Sequence, residues 1–156
     1  MARKSIADNS LVAVTDGSYT KEQYPNPNSA AFIFDCAKGR GRLIASFPEK
    51  TKYANAYRGK LLGLMGIHLI LLSINRVNPT LAGLVKVYSD CLGALSRVDD
   101  LPAFRIPSRC RHSDILKNIL INCKELTFSL YFEHVDLHLD DHEELENLLR
   151  HQQLNV

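Results

Sequence analysis

The chain has 156 residues, of which 46% are hydrophobic, 23% are charged and none is Trp. These proportions are typical of one globular domain and exclude collagen-like, coiled-coil and low-complexity classes. Nineteen Lys and Arg residues against seventeen Asp and Glu residues give a formal charge of +2, which is too small by itself to indicate a nucleic-acid partner.

The first third of the chain predicts three strands. Residues 11–15 are a continuous apolar and β-branched run, typical of a strand buried on both faces, and the turn-like residues 16–18 are expected to end it. Residues 29–36 and 42–47 predict two more short strands, so that the three form a meander. We expect residues 1–9 to be a flexible N-terminus.

A long helix is predicted over residues 54–75, which are rich in strong helix formers. Gly59, Gly63 and Gly66 each cost such a helix about 0.8–1 kcal/mol relative to Ala. Close approach to a sheet would offset that cost, so we expect these glycines to face strands.

The rest of the chain alternates strands and helices. The pattern predicts a buried strand over 84–89, a short helix over 92–98, a proline-bearing loop over 101–109, an amphipathic helix over 113–123, a strand over 126–135 and a helix over 143–153. The succession βββαβαβα requires parallel crossovers after the meander. We therefore predict one α/β domain, residues 1–156, with a mixed five-stranded sheet and helices on both faces.

Two acids stand at the ends of buried strands. Asp16 follows the first strand and Asp90 follows the fourth. An unpaired carboxylate is expensive to bury, so both residues need a cation or hydrogen-bond donors. The ordinary alternatives are that Asp16 begins a turn and that Asp90 caps the helix after it.

Several short blocks occur in a fixed order along the chain: TDGS at 15–18, NAYRGKLLGL at 55–64, VYSD at 87–90, HVDLHLDD at 134–141 and QLNV at 153–156. With these blocks and the predicted βββαβαβα order, the sequence resembles the ribonuclease H domains of retroelement reverse transcriptases. The resemblance covers nearly the whole chain from about Leu11, and it implies a ribonuclease H-like fold.

The resemblance also implies an activity, the cleavage of the RNA strand of an RNA–DNA hybrid. In that family four carboxylates hold two divalent ions, Mg²⁺ or Mn²⁺, which generate the attacking hydroxide and stabilise the leaving oxygen. By resemblance Asp16 and Asp90 are the first and third carboxylates, and His138 is the histidine that assists product departure. The implied partners are a nucleic-acid duplex and a reverse transcriptase domain in the same polyprotein.

Position 60 departs from the family pattern, because Lys60 stands where the family has its second carboxylate, a Glu. At about 4 Å and an effective dielectric constant of 20, a pair of unit charges is worth roughly 4 kcal/mol. Lys60 should therefore oppose cation binding and pair with Asp16 or Asp90 instead.

The fourth carboxylate is the second departure. In this branch of the family it lies a few residues beyond the Leu-Asn-Val segment, and the sequence here stops at Val156. Either the polypeptide is a fragment of a longer protein or the ligand is missing. Asp140, Asp141 and Glu144 could substitute as metal ligands, although acids that precede a helix are also typical partners of its N-terminal dipole.

Histidine and cysteine spacing gives little support for a zinc site. His134, His138 and His142 recur every fourth residue, but His134 falls in a predicted strand and His138 in a loop, so helical spacing does not apply. The four Cys residues match no zinc-module spacing. Scattered cysteines and the absence of a predicted membrane span favour an intracellular protein of the cytoplasm or nucleus.

The candidate nucleic-acid contacts are Ser18, Tyr57, Arg58, Arg109 and Arg111. The basic loops over 38–42 and 105–111 could hold phosphates. Packing of the Tyr and solvation of the Arg side chains are the ordinary alternatives.

We therefore expect a ribonuclease H-like domain that binds RNA–DNA hybrid and whose cleavage is weak or absent. One alternative is a non-catalytic interaction or spacer module that retains the fold. Another is an active enzyme with altered metal stoichiometry, using Asp16, Asp90 and either Asp140 or Asp141.

Overall fold

The computed structural model describes residues 1–23, 25–37, 40–100 and 106–135. Its strands are β1 (Leu11–Tyr19), β2 (Asn28–Asp35), β3 (Arg42–Glu49), β4 (Leu84–Ser89) and β5 (Ser129–His134). Its helices are α1 (Ala2–Ala7), α2 (Ala56–Val77), α3 (Leu92–Asp100) and α4 (Ser113–Glu125), with a short 3-10 helix over Lys21–Gln23. The helix predicted over 143–153 lies outside the described residues.

The five strands form one mixed sheet in the order β3-β2-β1-β4-β5. The pairs β3–β2 and β2–β1 are antiparallel, whereas β1–β4 and β4–β5 are parallel. This arrangement confirms the predicted meander followed by parallel crossovers. The carboxyl ends of β1, β4 and β5 consequently meet at one edge of the sheet.

Alternation along β1 explains why this strand is buried on both faces. Leu11 and Ala13 belong to the main core, which they share with α2, α3 and α4. Val12 and Val14 face the other way and pack with Tyr88 in a second, smaller cluster. The continuous apolar run is therefore divided between two cores, as a central strand requires.

The helix α2 crosses the sheet at very short range. An added Cβ on Gly63 would overlap the Thr15 side chain, one on Gly66 would lie 2.7 Å from the Phe32 ring, and one on Gly59 would lie 2.9 Å from the Ser18 carbonyl oxygen. The predicted contact of these glycines with strands is confirmed. By length and composition α2 could cross a bilayer, but 56% of its most apolar window is buried inside the protein.

Two predictions about the N-terminal part are wrong. Residues 1–9 are not a flexible tail, because α1 buries Ile6 completely in the main core and the Ser5 hydroxyl donates to the Cys36 carbonyl at 2.6 Å. Residues 16–18 do not form a turn either. They continue β1 because they pair in register with residues 29–31 of β2.

Candidate functional site

Asp16 and Asp90 lie side by side at the carboxyl edge of the sheet. The parallel register pairs Thr15 of β1 with Ser89 of β4, so the next residue of each chain segment reaches the same edge. The Asp16 side chain is 57% exposed and also accepts a hydrogen bond from the Gly17 N–H, whereas the Asp90 side chain is only 1% exposed. The predicted proximity of the two carboxylates is confirmed, and neither the turn nor the helix-cap alternative accounts for them.

The Lys60 side chain lies between the two carboxylates. Its Nζ donates to Asp16 Oδ1 and, at 2.5 Å, to Asp90 Oδ2. Burial by itself would lower the pKa of Lys60, but the hydrogen bonds to Asp16 and Asp90 outweigh it and raise the pKa above its ordinary value. Lys60 is therefore a cation at neutral pH, and it pairs with both acids rather than with one.

Close backbone packing brings Lys60 to this position. A Cβ on Gly17 would overlap the backbone of Gly59 and Lys60, so β1 and the first turns of α2 touch without an intervening side chain. Asn55 caps the helix, accepting from the Arg58 N–H at 2.8 Å, and sets where the first turn begins. Residue 60 then faces the gap between β1 and β4.

Arg58 holds together three elements beside this site. Its guanidinium forms hydrogen bonds of 2.6–2.9 Å with both carboxylate oxygens of Glu49 in β3 and of 2.9 and 3.2 Å with Asp114 in α4. The Arg58 side chain is 8% exposed, and these two carboxylates outweigh its burial and raise its pKa. The prediction that Arg58 contacts nucleic acid is corrected here, because its donors are used inside the protein.

His112 completes this network and remains neutral. Its Nδ1 faces an Arg58 Nη1 at 3.3 Å, and its Nε2 faces the Asn55 Nδ2 at 3.2 Å. Both neighbours are donors, so the ring can accept from only one of them and a protonated ring could accept from neither. Burial, followed by the charges of Arg58 and Arg111, lowers the pKa of His112.

A groove of about 680 Å³ runs along the N-terminal ends of α2 and α4. Four basic side chains, Lys52, Arg58, Arg109 and Arg111, line it with one carboxylate, Asp114. The hydroxyl residues Ser108 and Ser113 also line it, and both helices direct their N-terminal ends toward it. With Arg58 already paired, the exposed Lys52, Arg109 and Arg111 are the cations that a ligand in this groove would meet.

No protein-family model and no curated protein matches the chain, but solved structures do. The RNase H domain of PFV matches with a TM-score of 0.66 and 19% identity, over 93% of this chain and 87% of that one. LC11-RNase H1, isolated from compost and solved with an RNA/DNA hybrid, matches with a TM-score of 0.57 and 15% identity, over 83% and 87%. The foamy viral protease-reverse transcriptase, also solved with an RNA/DNA hybrid, matches with a TM-score of 0.55 and 14% identity, over 90% and 19%.

The chain has a ribonuclease H fold. The fold predicted from the resemblance is thereby confirmed. It also gives a reason to ask whether the carboxyl edge of this sheet can hold the divalent ions that such a fold implies.

The described residues at this edge do not fit a two-metal site of the ribonuclease H kind. Asp16 and Asp90 each give an oxygen to the Lys60 ammonium, so a divalent ion between them would meet a like charge. In the described ranges no group of three or more His, Cys, Asp or Glu residues could hold a metal ion. His138, Asp140 and Asp141 lie outside the described residues.

The other residues that the sequence predicts to contact nucleic acid lie in different parts of the structure. Arg109 and Arg111 line the groove, and Ser18 is exposed beside the acidic site, where its hydroxyl bonds with Ser29 at 2.6 Å. Tyr57 is half-buried against the core and the His112 ring, 5.8 Å away between centroids, so its packing role is the observed one. Arg40 and Arg42 lie at the opposite end of the sheet from Asp16, where Arg40 pairs with Asp8 at 2.6 Å. The contact of the basic loop over 38–42 with phosphates stays a prediction.

The sequence did not indicate Glu49, His112 or Asp114 as site residues. It placed His134 in a strand but did not indicate the contact of this residue with Asp90. Glu49 ends an edge strand, and the loop before α4 carries no motif, so nothing in the sequence joins them to Arg58. Asp114 in the first turn of α4 is a recognisable helix-dipole acid, but that signal does not identify its partner. His134 lies in a strand as predicted, at the end of β5, and its Nε2 lies 3.1 Å from the Asp90 carbonyl oxygen, so it contacts the sheet edge that carries the acidic pair.

Proposed function

We propose that this domain binds an RNA–DNA hybrid, or a closely related nucleic-acid duplex, and does not cleave it. The observation that carries the proposal is the Lys60 ammonium between Asp16 and Asp90, next to a groove lined by basic side chains. Two proteins of the same fold, LC11-RNase H1 and the foamy viral protease-reverse transcriptase, were solved with an RNA/DNA hybrid.

The groove supports the binding half of the proposal. Phosphate oxygens are contacted chiefly by Arg, Lys, hydroxyl groups and helix N-termini, and this groove offers all four. His112 stays uncharged, so Lys52, Arg109 and Arg111 supply the free positive charge. Arg58 and Lys60 are two residues apart near the start of α2, so the groove and the acidic pair both lie at the N-terminal end of that helix.

Lys60 supports the other half, the loss of cleavage. Hydrolysis by two metal ions needs several anionic ligands, of which at least one is shared by both ions. The change from a carboxylate to an ammonium at position 60 shifts the local charge by two units and uses one oxygen of each remaining acid. In this proposal the domain works without Mg²⁺ or Mn²⁺, and a reverse transcriptase domain of the same polyprotein would supply any chemistry.

The test uses the full chain and a short RNA–DNA hybrid labelled on the RNA strand. Fluorescence anisotropy should show binding at low salt that weakens steeply as salt rises, because counterions are released from phosphates. The same samples, incubated with Mg²⁺ or with Mn²⁺ and run on a denaturing gel, should keep their RNA intact.

Two results would contradict the proposal. A lack of any hybrid affinity at low salt would favour a protein-interaction or spacer module instead. Rapid cleavage that disappears in Asp16→Asn would show an active enzyme with an altered metal set.

A further inference from the structure

The Asp90 carboxylate is buried and has almost no contact with water. Its side chain is 1% exposed, its Oδ2 accepts from Lys60 at 2.5 Å, and its Oδ1 has no hydrogen-bond partner within the described ranges. Burying a carboxylate that lacks a hydrogen-bond partner on one oxygen is expensive unless a cation lies close by. In the described part of the chain, Lys60 is the cation that forms ion pairs with Asp90.

The Lys60 ammonium is held in place by backbone packing rather than by chance contact. The Gly17 and Gly59 backbones touch, which fixes the start of α2 against β1, and the Lys60 side chain is 17% exposed. Two of its three N–H donors are directed at carboxylates, one on β1 and one directly after β4. The side chain thus fills the space that a shared metal ion would need between Asp16 and Asp90.

We propose that the Lys60 ammonium is the permanent counter-ion of the Asp16–Asp90 pair, and that residue 60 decides whether this edge of the sheet takes a divalent metal ion. A Glu at this position would remove the internal cation and add a third carboxylate beside the other two. Hard oxygen ligands in that number suit Mg²⁺ and Mn²⁺. The inference concerns cation binding alone and does not depend on whether the domain binds nucleic acid.

The experiment compares the full wild-type chain with Lys60→Glu and Lys60→Met, with no nucleic acid present. Mn²⁺ binding is measured by electron paramagnetic resonance, and the thermal midpoint is measured with and without Mn²⁺. Lys86→Glu is the matched control, because it makes the same charge change at an exposed position of β4.

The expected results differ for each chain. The wild-type and Lys86→Glu midpoints should not respond to Mn²⁺, whereas Lys60→Glu should have a lower midpoint without metal and recover it as Mn²⁺ is added. Lys60→Glu should bind Mn²⁺ at least about tenfold more tightly than wild type, because a like charge is replaced by a ligand. Lys60→Met should show a smaller rise, since it removes the cation without adding an oxygen.

Clear outcomes would overturn the proposal. It is wrong if the wild-type chain is stabilised by Mn²⁺ as much as Lys60→Glu is, or if neither Lys60 variant gains affinity. If Lys60→Glu does not fold even with Mn²⁺, Lys60→Met decides, and an unchanged midpoint in Lys60→Met would show that Asp90 does not need the ammonium.

Discussion

His68 lies in the middle of α2 with no exposed surface, although its ring is polar. Its Nδ1 donates to the Leu64 carbonyl at 2.7 Å, its Nε2 has no partner in the described structure, and the ring stacks on Phe132. Burial, only partly offset by the hydrogen bond to Leu64, lowers the pKa of His68 to about 4. The ring is therefore neutral in the folded protein and can be protonated only at a large cost.

This histidine should make the protein acid-sensitive. In the unfolded chain a His has a pKa near 6.5. The stability that the neutral His68 ring contributes is therefore fully retained above that pH, and it is lost as the pH falls towards about 4. The loss of stability should reach about 3 kcal/mol at pH ~4. Urea unfolding of wild type and His68→Leu, measured from neutral pH down to that range, should show a flatter pH profile for the variant.

The comparison is between slopes, so a different stability of His68→Leu at neutral pH does not affect it. His134→Gln is the control, because it removes an exposed histidine instead of the buried one. Equal slopes for wild type and His68→Leu would mean that the buried ring is protonated without penalty.

The Glu49–Arg58–Asp114 network joins the end of β3, the first turn of α2 and the first turn of α4. Removing one member of a buried ion pair leaves its partner uncompensated, which typically costs about 3–5 kcal/mol. Because Asp114 is 63% exposed, we expect the lower end of that range, about 3 kcal/mol, for Arg58→Met. Chemical denaturation of wild type and Arg58→Met measures this loss of unfolding free energy directly.

An exposed ion pair between α2 and α4 provides the control. Arg76 contacts Glu125 at 3.3 Å, and the two side chains are 68% and 49% exposed. Arg76→Met should change the free energy of unfolding by less than about 1 kcal/mol. If both variants were destabilised equally, the network would be no more than a surface contact.

The contact between β1 and α2 should tolerate no extra atom at Gly17. A methyl group there would overlap the backbone of α2, so Gly17→Ala should cost about 1–3 kcal/mol or more through overpacking. Gly93 in α3 is the matched case, because an added Cβ would lie 3.8 Å from the Tyr57 ring, an ordinary contact. Gly93→Ala should be neutral or stabilising by up to about 1 kcal/mol, and thermal unfolding of the two variants should rank them in this order.

The sequence was informative where a local pattern determines the structure. The apolar runs predicted β1 and β4, the glycines of α2 predicted contact with the sheet, and the family blocks predicted that Asp16, Lys60 and Asp90 meet. Boundaries that depend on partners were missed: β1 runs to Tyr19 because β2 pairs with it, and α1 forms because Ile6 finds the core.

The same distinction explains why the sequence did not predict the ion pairs of Arg58. A sequence shows a basic residue near the start of a helix, but it does not show that Glu49 and Asp114, 9 and 56 positions away, will converge on it. Ion pairs between distant segments follow from topology, so composition alone cannot separate a buried Arg from one that is free to contact a ligand.

In the part of the chain that the structure describes, basic side chains lie at both ends of α2, which allows binding in the groove to be distinguished from general electrostatic attraction. Lys52, Arg109 and Arg111 line the groove at one end of α2, while Arg3 and Lys4 lie at the other end, beside Val77 to Ala82. If the duplex sits in the groove, the two ends should contribute unequally to its binding even though both are basic.

Two double variants, one at each end of α2, test this unequal contribution. Arg109→Gln with Arg111→Gln should weaken hybrid binding and reduce the slope of log affinity against log salt by about 2, because two phosphates are no longer neutralised by the protein. Arg3→Gln with Lys4→Gln removes the same net charge from the far end, so it should leave the slope nearly unchanged. Anisotropy titrations across a salt series would measure both, and equal slopes in the two double variants would show that net charge, rather than the groove, attracts the duplex.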